Sequence, residues 1–425
     1  MPPSETKPGN TDAPLYSFTT LRYLSMNAVA PSLSSDKPVA VLTLLGVFAL
    51  SLFLQHAFNL QQALVFLLGV GLGIALLHAS FGFSGGWRQF LRKRHSAAIR
   101  AHLWLFGLTS ILFFPVLGHV FPGIHSVAAL APAGVSVLVG AFLFGIGMQL
   151  GGGCGSGTLY TVGGGHVRML ITLAFFIVGA THGSAHLHWW LALPSLGDVS
   201  LIARWGWWQA LLLQLGVLLV LYFIVRRFER RRYGSLIPLT ATIPNLSFTD
   251  RLVFGPWPLA WGILALAIFN LLTLLIAGHP WTITFAFGLW GAKIWTALGG
   301  AAGTWPYWSH GYPAQALNSS VLADATSLMD FGVILGAVLA AALAGSFAPE
   351  SKFKRFDVLT AILGGLLLGY GARLAFGCNI GSLLAGISSG SLHGWLWLIA
   401  GFTGAWVGVR LRILFKLDPP LGEAK

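Results

Sequence analysis

The chain has 425 residues, of which 56% are hydrophobic and only 9% charged, and its mean hydropathy is +0.76. Soluble domains carry about 25% charged residues, so this composition excludes an ordinary soluble protein. The net charge of +13 does not indicate a nucleic-acid partner, because the basic residues lie in short loops beside apolar runs. Continuous apolar runs, rather than alternating short strands, predict an all-α polytopic membrane protein embedded in a lipid bilayer.

The first part of the chain predicts a polar tail followed by a transmembrane half. Residues 1–37 lack a charged start followed at once by an apolar core, which predicts a cytoplasmic tail rather than a signal peptide. Residues 38–227 form the first half, with spans predicted near 39–57, 62–80, 101–121, 133–153, 168–186 and 205–225. Basic clusters at 88–100 and 226–232 predict loops on the cytoplasmic side.

A basic cytoplasmic linker, residues 228–256, leads into a second transmembrane half, residues 257–425. Spans are predicted near 257–277, 331–347, 358–377 and 392–414, which brings the total to about ten. The segment 299–330 contains neither Lys nor Arg and is predicted to lie outside, whereas basic residues place both termini in the cytoplasm. Four short half-membrane helices are predicted after Ser80, Cys154, Trp281 and Cys378.

One stretch occurs twice. GAFLFGIGMQLGGGCGSGTLYTVGGG starts at Gly140, and GGLLLGYGARLAFGCNIGSLLAGISSG starts at Gly364. A shift of 224 residues (378 − 154) superposes Cys154 on Cys378, the only two cysteines of the chain. The spans before them are predicted to run in opposite directions, which indicates an inverted-topology repeat, an architecture whose substrate site lies near the midplane between the repeats.

Glycines beside each cysteine predict a break in the helix. Glycine costs about 1 kcal/mol relative to alanine in a helix interior. Broken helices at membrane depth are tolerated only where protein or a water-filled cavity surrounds them, and their N-termini offer free N–H groups to an anion. The residues predicted to line such a path are Gly153, Gly155, Gly157, Gly377, Asn379 and Gly381.

The two cysteines themselves are the leading functional candidates. A buried cysteine is more often a small hydrophobe, but its repetition in both halves favours function. Disulfide formation, nucleophilic chemistry, metal ligation and hydrogen bonding all remain open. Two thiols alone make a poor zinc site, so no metal or cofactor is predicted. A weak S–H donor in an uncharged slot suits a large, polarisable, sulfur-bearing anion.

The charged residues add two basic candidates and one expected absence. Every Asp and Glu is predicted in a tail, a loop or at a span end, with Asp330 and Asp357 closest to the interior. Cation-coupled transporters usually keep an acid inside, and none is predicted here. Arg373 and Lys293 are the buried basic candidates, and Gln149 is the uncharged counterpart of Arg373.

At GMQLGGGCGSGTLYTVGGG (147–165) and GARLAFGCNIGSLLAGISSGSLHGW (371–395), the chain resembles the YeeE/YedE family, which includes bacterial thiosulfate transporters. The resemblance implies an hourglass-shaped bundle whose central constriction presents cysteines to the substrate, and Cys154 and Cys378 match those positions. Thiosulfate transporters of the family carry a further cysteine in the first half-membrane segment. This chain has Phe83-Ser84-Gly85-Gly86 there, so Ser84 becomes a candidate donor.

These observations together predict a bacterial inner-membrane uptake permease, not an enzyme, for a small sulfur-containing anion, most plausibly thiosulfate. The anion would pass a constriction by hydrogen bonding to the thiols, and a cytoplasmic sulfur-carrier protein is a candidate partner. Two alternatives stay open. One is a membrane redox protein that holds haem on its histidines. The other is a persulfide carrier whose cysteines hand sulfane sulfur to a cytoplasmic acceptor.

Overall fold

A computed structural model describes residues 36–240, 246–347 and 354–419. The tail predicted for residues 1–37 therefore lies almost wholly outside the described residues. In the described part, ten helical segments are long and apolar enough to cross a membrane. The fold is thus the predicted all-α polytopic membrane protein with ten spans.

Residues 36–240 contain nine helices and a two-stranded sheet. The helices are α1 (Lys37–Ala57), α2 (Leu60–His78), α3 (Phe83–Lys93), α4 (Ala97–Leu117), α5 (Val135–Gly151), α6 (Gly155–Gly163), α7 (Val167–Leu191), α8 (Leu201–Trp205) and α9 (Trp207–Tyr233). Strands β1 (Pro132–Gly134) and β2 (Ser195–Asp198) pair antiparallel, with Pro132 opposite Asp198. This sheet ties the start of α5 to the loop after α7.

The rest of the described chain contains eight helices, α10 to α17. They are α10 (Phe248–Phe254), α11 (Leu259–Ala277), α12 (Thr284–Ala297), α13 (Gly311–Asn318), α14 (Ala325–Leu343), α15 (Arg355–Leu374), α16 (Ala385–Ser388) and α17 (Leu392–Leu414). Short 3-10 turns occupy Ala302–Thr304 and Val321–Ala323, and a π-helical turn, Asn379–Leu384, precedes α16. Short helices thus stand at all four predicted positions: α3, α6, α12 and the π-helical turn with α16.

The two halves repeat one order of long and short helices. In the first half, α3 lies between the long helices α2 and α4, and α6 lies between α5 and α7. In the second half, α12 and the additional α13 lie between α11 and α14, and the π-helical turn with α16 lies between α15 and α17. The main packing partners correspond as well, because α5 packs on α17 as α15 packs on α7, and α5 and α15 pack on each other. The opposite membrane orientation of the halves stays a prediction.

Glycine allows α5 and α15 to touch along their backbones. A Cβ on Gly147 would lie 2.7 Å from the Leu368 nitrogen, and one on Gly364 would lie 2.2 Å from the Gly151 nitrogen. Small residues permit this approach between helices in a membrane. Because each helix runs straight into a cysteine motif, the contact holds the two motifs side by side at the centre of the bundle.

Helices α1 and α9 lie at the periphery. In the most hydrophobic stretch of each of these helices, only about a fifth of the residues are buried. Large side chains such as Leu42 and Leu212 are exposed. A helix whose exposed surface is this apolar is suited to lipid. The site is therefore carried by the inner helices.

One expectation about charge was wrong. Helix α14 begins at Ala325, six residues before the span predicted at 331 (331 − 325), and Asp330 is fully buried within it. The reason lies at Asp324, whose carboxylate accepts the Ser327 N–H at 2.8 Å and caps the helix. The cap starts the helix before its apolar run, so Asp330 falls inside rather than at the end.

Candidate functional site

Each cysteine caps the short segment that follows it. Cys154 (φ −89°, ψ −164°) and Cys378 (φ −96°, ψ −165°) have nearly the same extended backbone. The Cys154 sulfur accepts the Gly157 N–H at 3.4 Å, and the Cys378 sulfur accepts the Ile380 N–H at 3.4 Å. Each sulfur is thereby fixed at a helix N-terminus while its S–H proton stays out of the capping bond. Both thiols are free and fully buried.

The two motifs meet directly. A Cβ built on Gly155, the residue after Cys154, would lie 2.8 Å from the Cys378 sulfur and 3.2 Å from its Cβ. Glycine at position 155 therefore makes room for the other motif's thiol. The pattern of glycines indicated a broken helix, and the structure gives this glycine an additional steric reason.

The starts of all four short helices surround this meeting point. Ile283, which precedes α12, lies 3.5 Å from the Cβ position of Gly155, and Thr282 lies 3.5 Å from that of Gly381. The backbone of Phe83, the first residue of α3, lies close to the Cys154 sulfur. Helix N-termini carry a partial positive charge, so their convergence favours an anion among them.

Ser84 and Gln149 form a polar pair on the α3 side of Cys154. The Ser84 hydroxyl donates to the Met148 carbonyl at 2.7 Å, and the Gln149 amide donates to the Ser84 carbonyl at 3.2 Å. Ser84 therefore lies beside the Cys154 motif, and in this conformation its hydroxyl proton is engaged. The Gln149 side-chain oxygen is buried and has no hydrogen-bond partner.

The remaining motif residues shape the backbone around the thiols. A Cβ on Gly153 would lie 3.0 Å from the Thr158 nitrogen, and Gly377 has a φ of +153°, which an L side chain rarely adopts. Asn379 is fully buried, and neither its amide nitrogen nor its amide oxygen has a hydrogen-bond partner. A buried polar side chain without partners is expensive, so Asn379 stands out as a group available to a ligand.

A cavity of about 140 Å³ lies beside the Cys378 motif. Its walls include Thr282, Thr284, Tyr307, Arg373, Phe376, Gly377 and Gly381. The Arg373 guanidinium donates to the Tyr307 hydroxyl at 2.6 Å and lies over the Tyr307 ring at 4.5 Å. Two other guanidinium nitrogens, Nε and Nη2, are buried without hydrogen-bond partners. The cavity wall therefore includes a cation, the Arg373 guanidinium, which has unpartnered N–H donors and lies five residues before Cys378 in the sequence.

Sequence reasoning did not single out Tyr307 or Thr282, and of its two buried basic candidates, Arg373 and Lys293, only Arg373 lines the cavity. Tyr307 belongs to the segment 299–330, which contains neither Lys nor Arg and was interpreted only as an outer loop. Its run Trp305-Pro306-Tyr307-Trp308 was the available signal. Trp308 is buried and donates to the Ser184 hydroxyl at 3.0 Å, which folds this loop over the cavity. The Lys293 ammonium is bonded to the Leu317 and Ser319 carbonyls, away from the cavity.

Arginines cover the end of α5 just before the first motif. Arg168 donates to the Leu150 carbonyl at 2.8 Å, and Arg412 donates to the Gln149 carbonyl at 2.6 Å. Cations at a helix C-terminus are stabilised by its partial negative charge. Asp418, beyond α17, pairs with Arg412 at 2.7 Å. Burial works to raise the pKa of Asp418, but the bonds and charge of Arg412, with the charge of Arg88, outweigh it and lower that pKa.

Comparison with known proteins gives consistent results. The family model described as "Sulphur transport" matches residues 78–407. Over 360 residues the chain is 28% identical to the thiosulfate transporter TsuA of Spirochaeta thermophila, covering 80% of this chain and 97% of TsuA. It is 23% identical to the thiosulfate transporter TsuA of Escherichia coli, covering 80% and 91%.

A second group of relatives matches over a shorter stretch. The chain is 33% identical to the probable transporter YedE of Escherichia coli over 159 residues, which is 37% of each chain. The alignment thus spans little more than a third of YedE. Since the family model covers most of the sequence, including both cysteine motifs, the chain belongs to the sulphur-transport family of membrane proteins, the YeeE/YedE family.

Proposed function

We propose that this protein is an uptake permease of the bacterial inner membrane for a small sulfur-containing anion, thiosulfate above all. The observation that carries the proposal is the contact between the two motifs, in which the Cys378 thiol packs on the backbone of Gly155, next to Cys154. Two soft donors at one closed constriction, ringed by helix N-termini, suit an anion that exposes a large polarisable sulfur.

The donor set favours an anion over a cation or a neutral solute. Backbone N–H groups at the starts of short helices, the S–H groups of both cysteines and the unpartnered nitrogens of Arg373 are all donors. Hydrogen bonds between charged and neutral partners are about twice as strong as neutral ones. The relatives named thiosulfate transporters align over most of both chains, which supports thiosulfate as the substrate.

The proposed path has three successive binding positions for the anion. The anion first enters the cavity beside Arg373 and exchanges water for the guanidinium and the Tyr307 hydroxyl. It next moves to the Cys378 thiol and then to the Cys154 thiol, each of which donates its S–H proton without forming a covalent bond. It leaves on the side of Ser84 and Gln149, towards the cytoplasm. Both thiols are fully buried in this state, so passage requires a small local opening.

The test is uptake of radiolabelled thiosulfate by cells that lack other sulfate and thiosulfate importers. Cys154→Ala and Cys378→Ala should each reduce uptake about tenfold or more, because each removes a donor at the constriction. Loss of a hydrogen bond to a charged group corresponds to about 1.5–3 kcal/mol, which is of that order. Serine at either position should restore part of the uptake, since a hydroxyl also donates.

A matched control is Ser51→Ala on the peripheral helix α1, where the hydroxyl bonds only the Val47 carbonyl of its own helix. This variant should transport normally. Uptake that persists in both cysteine variants would contradict the relay. Mass spectrometry of Cys154 and Cys378 after exposure to thiosulfate separates the relay from persulfide chemistry, since only the latter adds a sulfur atom to a thiol.

A further inference from the structure

Helix α14 carries an acid that the path described above does not use. Asp330 is fully buried, and neither of its carboxylate oxygens has a hydrogen-bond partner. Among the described residues, no Lys, Arg or His forms an ion pair with it. An ionised carboxylate buried without a partner costs many kcal/mol, so the uncharged, protonated form is favoured in this state.

Asp330 lies at the border between the face of α14 that packs on α2 and the face that adjoins the site. Val333, three residues further on, and Ala337 both adjoin Gly73 of α2. Residues four apart are also neighbours on a helix, so on its other side Asp330 has Thr326 and Ile334 as neighbours. Thr326 is hydrogen-bonded to Thr282, which lines the cavity, at 3.1 Å, and the Ile334 carbonyl adjoins Gly163 at the end of α6. Asp330 therefore lies on a helix surface that adjoins the segment before α12 and the end of α6, two short helices of the site.

The titratable groups around Asp330 offer it no compensating charge. The elements packed on α14 are α1, α2, α6, α10, α12 and the 3-10 turn before it, and their charged or titratable side chains are Lys37, His56, His78, Tyr160, Asp250, Arg251 and Lys293. Asp324, the residue that caps α14, and Cys378 both lie close enough to Asp330 to interact with it electrostatically. Both are acids, so proton occupancy at Asp330 and events at the Cys378 thiol influence each other.

Uptake of an anion into a negatively charged cell requires a source of free energy, which a proton-binding group can provide. Moving one negative charge into a cell against a potential of 100 mV costs about 2.3 kcal/mol, and a divalent anion costs about twice that. One proton that enters with each divalent anion offsets half of this cost, and a second proton per anion would remove the rest. An acid that is protonated when the site is closed, and that adjoins the anion path, has the position this coupling requires.

We propose that Asp330 is the proton-binding site that couples anion uptake to the proton gradient, an inference that rests on the proposed transport function. A proton from the outer side binds a carboxylate oxygen while the anion enters the cavity. After the anion passes Cys378, the same proton is released towards the cytoplasm. The Thr282–Thr326 hydroxyl pair provides the polar connection between the cavity and the Asp330 face.

The experiment uses the full-length protein in liposomes with radiolabelled thiosulfate. An inward proton gradient should make the wild type accumulate thiosulfate, and Asp330→Asn should reduce this accumulation at least tenfold. Exchange of internal for external thiosulfate at equal pH should persist in Asp330→Asn, because exchange needs no net proton movement. Asp330→Glu should restore gradient-driven accumulation in part. Asp198→Asn, an exposed acid between β1 and α8, is the matched control and should behave as wild type.

The outcomes separate the two proposals. Absence of thiosulfate exchange in the wild type would overturn the transport function itself. Wild-type exchange without any response to the proton gradient would overturn the coupling alone, as would full gradient-driven accumulation by Asp330→Asn. Loss of both exchange and accumulation in Asp330→Asn, with no recovery in Asp330→Glu, would assign Asp330 a structural role and also overturn the coupling.

Discussion

The two cysteine motifs share the backbone conformation of the cysteine itself and differ in the segment that follows it and in the side chains around it. Cys154 starts an α-helix and accepts the N–H three residues on, whereas Cys378 starts a π-helical turn and accepts the N–H two residues on. Cys154 and Cys378 have matching torsion angles and cap their helices with equally long bonds to sulfur. With the shift of 224 residues, however, Gln149 corresponds to Arg373, and Gly155 corresponds to Asn379. The repeat thus preserves the presentation of a thiol at a helix N-terminus, while charge and bulk beside that thiol vary between the copies.

The backbone before the cysteines shows how strongly this presentation is preserved. Gly152 has a φ of +92°, and its counterpart Phe376 has a φ of +60°. A left-handed conformation costs a residue with a side chain about 1–2 kcal/mol. The second motif therefore keeps a left-handed residue two positions before its cysteine, despite this cost in conformational free energy. The Phe376 side chain lines the cavity. The difference teaches that the turn is required in both copies, whereas the side chain at the turn is free to serve the cavity.

The largest effect is expected at Gly155, where the two motifs are in contact. In Gly155→Ala the new Cβ would lie 2.8 Å from the Cys378 sulfur, which must then leave its capping position. Overpacking of this kind costs about 1–3 kcal/mol and here displaces a proposed transport group. We expect thiosulfate uptake to fall to near background while the protein still reaches the membrane, as measured by uptake and by immunoblot.

Two other glycines, Gly157 and Gly381, provide comparison variants in which the added Cβ would make a less close contact. A Cβ on Gly157 would lie 3.3 Å from the Cys154 sulfur, and one on Gly381, its counterpart, would meet Thr282 at an ordinary 3.5 Å. Gly381→Ala should therefore retain the most uptake, Gly157→Ala an intermediate level and Gly155→Ala the least. Equal uptake in all three variants would show that the contact between the motifs does not constrain transport.

Arg373→Gln gives the second motif the side chain of the first and should have the next largest effect. The change removes a buried cation with unpartnered donors at the cavity. Hydrogen bonds to charged groups contribute about 1.5–3 kcal/mol, so the KM for thiosulfate should rise about tenfold to a hundredfold. The measurement is the concentration dependence of uptake, with Arg373→Lys expected to lie between wild type and Gln.

Lys293→Gln is the matched control for loss of a cation from the same half. The Lys293 ammonium is bonded to the Leu317 and Ser319 carbonyls, so the KM should stay close to wild type. A KM that rises equally in both variants would point to the overall positive charge of the half rather than to the position of Arg373.

Much of the architecture was predictable because each signal was local. Apolar runs predicted ten spans, glycines beside each cysteine predicted the breaks, and the repeated motif predicted that Cys154 and Cys378 are counterparts. These features follow from composition and spacing, which membrane helices obey closely because their backbone bonds must be satisfied within each helix. The four short helices were predictable for the same reason.

Features that depend on contacts between distant segments were not predictable. Asp330 is a different case: it was assigned to a span end because the span was placed by its apolar run alone, although Asp324 was an available local N-cap signal for an earlier start. Tyr307 reaches Arg373 only because Trp308 anchors a long loop on Ser184, a contact between residues 124 positions apart. The fit of Cys378 against Gly155 likewise joins two motifs from different halves. Local patterns carry no information about such pairs.

Asn379 in the second motif occupies the position of Gly155 in the first, so a substitution of Asn379 tests what this difference between the motifs does. Its side chain is fully buried with no hydrogen-bond partner at either amide atom, and each unsatisfied buried group costs about 1–3 kcal/mol. In Asn379→Leu an apolar side chain of similar shape replaces these atoms, so the melting temperature in detergent should rise. If the amide serves the passing anion, thiosulfate uptake should fall several-fold in the same variant. Asn270→Leu is the matched control, because the Asn270 side-chain oxygen accepts the Trp281 N–H at 3.0 Å, and its loss should lower the melting temperature. A lower melting temperature in Asn379→Leu, or a higher one with unchanged uptake, would contradict the assignment of Asn379 to the substrate path.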